Sequence, residues 1–138
     1  LAGIGIGQMN VLNDRVAKRQ AVFKKYQNEL SQHLNFIPDR AGFISNRWLS
    51  AGLIKNINKK YIDLINFLNE HNIESRPFWK PLHQQPLFKD CLFFSHEEDK
   101  LPVSENLFDR GICLPSSSHL TDTEQNLVIE KVLQFFAK

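Results

Sequence analysis

The chain has 138 residues and a mass of 16.0 kDa, enough for one domain that buries about two-thirds of its unfolded surface. Hydrophobic residues make up 42% and charged ones 23%, the balance of a globular protein; seventeen basic residues against fifteen acidic ones leave +2, too little charge to suggest nucleic acid or an anionic membrane as partner. No apolar run reaches the ~18 residues of a membrane helix, and "LAGIGIGQM" lacks the length and leading basic residues of a signal peptide.

Gly3, Gly5 and Gly7 in that opening run are spaced GxGxG, without a later glycine or a Lys-Ser/Thr pair. They predict a helix with small residues where another element packs closely, rather than a phosphate loop. Met9, Leu12, Val16, Phe23, Tyr26 and Leu30 then recur at steps of three, four or seven. They predict one long amphipathic helix from about residue 8 to residue 33, of the length that bridges two bodies.

Pro38, Asp39 and Gly42 break the chain. "FISNRWLSAGLI" (43–54) reads as strand, with Trp48 packed in the core. Tyr61, Leu64, Ile65 and Leu68 mark a second amphipathic helix, with Asn58 as N-cap and Asn72 as left-handed C-cap. "IESRPFW" resumes as extended chain, because Pro77 keeps Arg76 away from helical angles.

"RPFWKPLHQQPLF" (76–88) fits neither helix nor central strand. Its three prolines fix φ and remove backbone donors, giving a stiff loop. Arg76, Lys80, His83 and Gln85 offer donors suited to phosphate or sugar oxygens, and Trp79 a flat apolar face. The same composition also suits a plain connection whose aromatics cap the core.

Ser104 is placed to cap a short helix that stops at Gly111. "ICLP" is a short buried strand and "SSSHL" a loop. Thr121 and Glu124 form a capping box for a last helix whose buried face is Val128, Ile129, Val132, Leu133 and Phe136. The widely spaced Cys91 and Cys113 are read as two buried free thiols, which fits a reducing cytoplasm. The five histidines are scattered and form no metal-ligand set.

"HNIESRPFWKPLHQQPLF", "SNRWLSAGLI" and "ENLFDRGICLPSSSHLTDTEQNLVIEKVLQFF" together resemble the C-terminal part of the DegT/DnrJ/EryC1/StrS family of pyridoxal-phosphate-dependent sugar aminotransferases, over nearly the whole chain. The "RPxWKP" form is most similar to the branch acting on UDP- or TDP-linked 4-keto-6-deoxy sugars.

The resemblance implies an α+β fold, the small domain of fold-type I aminotransferases: a small, mainly antiparallel sheet covered by helices, with a long N-terminal linker helix. It implies a linker over 1–35, a small domain over 36–138, and a large cofactor-binding domain absent from this chain. The implied full enzyme is a cytoplasmic homodimer that moves an amino group from glutamate to a nucleotide-linked sugar through pyridoxal phosphate. The Schiff-base lysine belongs to the large domain, so no catalytic, cofactor-binding or metal residue is expected here. The resemblance puts His83 and Gln85 of its "HxQ" near the sugar diphosphate, Lys80 as a nearby cation, and Arg76 and Trp79 orienting the loop or the nucleotide. It also implies a chain inactive alone, whose linker-helix face is left bare to self-associate or bind a partner. A freestanding nucleotide-sugar-binding or interaction module is the competing expectation.

Overall fold

The computed structural model describes residues 2–96 and 100–137. In chain order the elements are helix α1 (Ala2–Met9), helix α2 (Leu12–Leu30), strand β1 (Leu34–Phe36), strand β2 (Ser50–Ile54), helix α3 (Tyr61–Glu70) and strand β3 (Arg76–Pro77). Two 3₁₀ turns (Leu82–Gln84 and Pro86–Phe88), helix α4 (Val103–Arg110), strand β4 (Gly111–Leu114) and helix α5 (Asp122–Ala137) complete the chain. The strands pair antiparallel throughout in the order β1-β2-β4-β3. This is the expected α+β architecture.

The long first helix is divided. Asn10 and Val11 interrupt it, and the second part ends at Leu30 rather than residue 33. Only the C-terminal part of the predicted stripe reaches the core: Phe23, Tyr26 and Leu30 are buried together with Val22, whereas Met9 and Leu12 are exposed. No residue of α1 is buried, and a Cβ on Gly3, Gly5 or Gly7 would meet nothing within 4 Å. The close neighbour predicted for those glycines is therefore not among the described residues.

Residues 34–36 form the outer strand β1, too short to show an alternation, and Leu34 and Phe36 point into the core while Asn35 faces out. The predicted strand over 43–54 is formed only from Ser50 onward; residues 43–49 are irregular and include Arg47, whose φ of 46° is left-handed. Helix α3 buries Leu64, Ile65 and Leu68 as its periodicity requires. Asn58 does not cap it, since the N-cap position is Lys60. Its far end is as predicted. Asn72 takes φ 59°, its N–H bonds Asn69 O at 3.0 Å, and Ile73 N–H returns to Leu68 O at 3.0 Å. Those two bonds are the Schellman closure, and Ile73 and Leu68 join the same core cluster.

Helix α4 starts at Val103 with Pro102 before it, so Ser104 lies inside the helix and not at its cap. Helix α5 has the capping box: Glu124 Oε2 accepts from Thr121 N–H at 2.8 Å and from Thr121 Oγ1 at 2.7 Å, and Glu124 N–H donates to Thr121 Oγ1 at 3.3 Å. Its buried face is Gln125, Val128, Ile129, Val132 and Phe135. Leu133 is exposed and Phe136 only partly covered, so the face lies one position off the prediction at its C-terminal end. Both cysteines are free, but Cys91 is exposed and only Cys113 is buried. No helix among the described residues is long and apolar enough to cross a membrane.

Candidate functional site

A groove of about 750 Å³ opens at the β3 edge of the sheet. One wall is the 72–79 segment, another is the chain leaving β4 (113–117), and the floor comes from the first turns of α5. The volume falls in the range of small-molecule sites.

Two exposed tryptophans stand at this groove. Trp48 is 58% and Trp79 68% exposed, and their rings meet edge to face with centroids 6.2 Å apart and planes at 82°. Trp48 is therefore not the core residue the sequence suggested. It is held in place by its backbone. Arg19 NH1 donates to Trp48 O at 3.0 Å, Gln20 Nε2 to Ser45 O at 2.8 Å, and Trp48 N–H to Asn46 Oδ1 at 3.1 Å. The preceding Arg47 is anchored inside: NH2 meets Asp39 Oδ1 at 2.6 Å, NH1 donates to Ile37 O at 3.0 Å, and the guanidinium lies 3.6 Å from the centre of the Phe23 ring. A buried arginine stacked on an aromatic face in this way is a rigid support. Leaving Trp48 largely in solvent on such a support costs apolar exposure that folding alone does not require.

Of the predicted contact residues, Arg76 and Trp79 line the groove; Lys80, His83 and Gln85 do not. Arg76 is exposed and held by Glu74, whose Oε1 accepts from Nε at 2.9 Å and NH2 at 2.6 Å. Lys80 is exposed. Gln85 Nε2 donates to Lys80 O at 3.1 Å, which closes the loop on itself. His83 turns away from the groove toward α4, with Nε2 2.8 Å from Glu105 Oε1.

The β4 wall is inert in character. Burial pushes the Cys113 thiol above its ordinary range, which keeps it protonated and unreactive. Ser116 Oγ accepts from Ser50 N–H at 2.7 Å and donates to Leu114 O at 2.7 Å, so it is spent on holding the loop. Ser75 Oγ, in contrast, is buried beside the groove with no hydrogen-bond partner among the described residues. None of the lining residues is a lysine, so the groove offers no amine for a Schiff base with pyridoxal phosphate. Among the described residues no cluster of three His, Cys, Asp or Glu side chains could hold a metal ion. The arrangement suits binding of a flat or ring-shaped polar molecule, and it carries no nucleophile–base pair.

Trp48 and Glu105 are the residues that sequence reasoning missed. An exposed tryptophan beside an Asn-Arg pair gives no periodic signal, and Glu105 is separated from His83 by 22 positions.

Comparison with known proteins bears on the family and the fold. The sequence profile of the DegT/DnrJ/EryC1/StrS aminotransferase family matches residues 1–133. A Bacillus subtilis (strain 168) protein, EpsN, whose name assigns it as a pyridoxal phosphate-dependent aminotransferase, is 51% identical over 139 aligned residues, covering 99% of this chain and 35% of EpsN. A GDP-perosamine synthase of Escherichia coli O157:H7 is 24% identical over 99% of this chain and 35% of its own length. Among solved structures, a DegT DnrJ EryC1 StrS aminotransferase from Brucella abortus superposes with a TM-score of 0.78 at 25% identity, over 96% of this chain and 34% of that one. The aminotransferase TlmJ from Streptoalloteichus hindustanus shares the fold, with a TM-score of 0.83 at 23% identity over 99% of this chain and 36% of that one. The chain thus spans about a third of the length of the relatives it matches. With the family profile matched over residues 1–133, the chain belongs to the DegT/DnrJ/EryC1/StrS aminotransferase family.

Proposed function

We propose that this chain is the small-domain third of a sugar aminotransferase, and that the groove with the adjoining 76–88 loop is its substrate-facing wall. The observation that carries the reading is the pair of exposed tryptophans at the groove that Arg76 also lines, with Trp79 on the 76–88 segment that bears a motif typical of the family and Trp48 facing it. Aromatic faces suit a sugar or base ring, and a guanidinium suits a diphosphate. Residues 1–35, with helix α1 and the largely exposed first half of α2, serve as the linker toward the remaining two-thirds, and residues 36–138 as the small domain.

In that full enzyme, a cytoplasmic homodimer, an amino group would pass from glutamate to the keto carbon of a nucleotide-linked 4-keto-6-deoxy sugar, with pyridoxal phosphate supplying the amine-transfer chemistry. The cofactor and its lysine belong to the large domain. This chain supplies substrate contacts: Arg76, Trp79 and Trp48 at the groove, Lys80 and Gln85 on the loop, and His83 behind them. The "RPxWKP" form favours UDP or TDP as the nucleotide. Relatives named for a GDP sugar make GDP the necessary comparison.

The test is a domain exchange. This chain replaces the matching third of Bacillus subtilis EpsN, and amination of UDP-, TDP- and GDP-linked keto sugars is followed with glutamate as donor. The chimera is expected to aminate, and the chain alone is expected to be inactive. A borohydride-reducible imine between pyridoxal phosphate and one specific lysine of the chain alone would overturn the proposal. A second reading is a freestanding nucleotide-sugar-binding module, for which Trp48, Arg76 and Trp79 at one groove supply the ring and phosphate contacts. It requires measurable affinity of the isolated chain for a nucleotide sugar and loss of that affinity in His83→Ala.

A further inference from the structure

Pro81 is buried, and beyond it the 80–88 loop has little apolar anchorage of its own. Leu82 and Leu87 are 65% and 82% exposed, and its backbone bonds are local: Gln84 N–H to Pro81 O at 3.0 Å, Gln85 N–H to Leu82 O at 2.9 Å and Phe88 N–H to Gln85 O at 2.9 Å. Turns of this kind hold a shape but not a place. Past Pro81 the place is given by His83. Its ring stacks on Phe93 with centroids 3.7 Å apart and planes 26° apart, and its Nε2 lies 2.8 Å from Glu105 Oε1 in the first turn of α4.

The pair is unlike the surface ion pairs of this chain. The side chains of His83 and Glu105 are 18% and 22% exposed, whereas Asp14–Lys18, Lys25–Asp122 and Arg76–Glu74 each have a partner more than half exposed. A carboxylate only accepts, so the hydrogen between the two belongs to Nε2. One ring face is also taken by Phe93. Both that face and Nε2 serve to attach the loop.

We infer that Glu105 is a positioning residue: through His83 it pins the proline loop to α4 and thereby sets where Lys80 and Gln85 stand toward a substrate. This rests on the substrate-facing reading of the loop for its purpose, though not for the attachment itself.

The test compares the chain with Glu105→Ala and Glu105→Gln. Hydrogen exchange of the Gln84, Gln85 and Phe88 amides is expected to quicken at least about tenfold in Glu105→Ala, with Leu68 and Val132 in the core unchanged. Glu105→Gln keeps a carbonyl acceptor and is expected to restore most of the protection, along with the slowly exchanging His83 Nε2 proton seen by nitrogen-labelled NMR. Unchanged loop exchange in Glu105→Ala, or equal quickening in the core, would overturn the inference. Calorimetry with UDP-, TDP- and GDP-sugars separates the two readings. Wild-type affinity that falls about tenfold in Glu105→Ala and returns in Glu105→Gln supports positioning. Affinity unmoved while the loop loosens overturns it. Loop loosening with no binding by the wild-type chain leaves the attachment standing and removes this chain's own substrate contact.

Discussion

Gly111 and Phe78 leave no room between them for a methyl group. A Cβ built on Gly111 would overlap the ring at Phe78 Cγ and lie 2.5 Å from the Leu107 carbonyl oxygen. The glycine is not there for its backbone, since its φ of −84° is open to any residue. It is there because α4 turns directly into β4 under the Phe78 ring. Gly111→Ala is expected to destabilise the fold by about 1–3 kcal/mol through overpacking, read as a lower urea midpoint at unchanged slope. An unchanged midpoint would mean that Phe78 moves aside freely.

Asn72 carries the left-handed residue that closes α3. Asn72→Ala is expected to cost about 1 kcal/mol, because a Cβ without a local polar partner is strained at φ 59°, whereas Asn72→Gly should be neutral or slightly stabilising. Thermal unfolding of both variants checks the sign. Equal losses would show that the Asn72 side chain matters more than its backbone.

The α5 capping box gives the chain a pH-dependent element. The Thr121 hydroxyl, and then the Thr121 N–H, hold the Glu124 carboxyl below its ordinary value of 4.5. The folded state therefore binds this proton less readily than the unfolded one. Its contribution is full above the ordinary carboxyl range and is lost as pH falls through the lowered folded value. Thr121→Ala should flatten that part of the stability curve while lowering stability at neutral pH. Chemical unfolding from neutral to acid pH measures it, and an identical acid slope in the variant would contradict the account.

Trp48 separates a core role from a binding role directly. A core tryptophan cut to alanine costs about 3–5 kcal/mol. With 58% of its surface exposed, Trp48→Ala should change stability by no more than about 1 kcal/mol. On the substrate-wall reading, the same variant should weaken nucleotide-sugar use by the EpsN chimera about tenfold, seen in KM. Large destabilisation would return Trp48 to the core.

What the sequence revealed was local. The α3 stripe, Asn72, the Thr121–Glu124 box and the buried β4 run each depend on residues within one turn or one strand of each other, and each is in place. The misses depend on distant parts. Nothing in 8–33 shows that Met9 and Leu12 lack a neighbour while Tyr26 has one. Three residues of β1 carry no readable alternation, and Ser50–Ile54 becomes a strand because it lies between Leu34–Phe36 and Gly111–Leu114. The 76–88 loop was legible as stiff and as the family's signature. That its histidine faces Glu105 while its tryptophan faces Trp48 is settled only by folding.

The sheet's borders are its shortest strands, three residues at β1 and two at β3, and one of the latter is Pro77. Proline has no N–H, and so short a margin offers an incoming strand almost nothing to pair with. Sheet growth from copy to copy, the first step toward fibrils, is thereby discouraged along the rim that the groove keeps open. The proline ring that stiffens the start of the 76–88 loop also acts as a guard against self-templated aggregation.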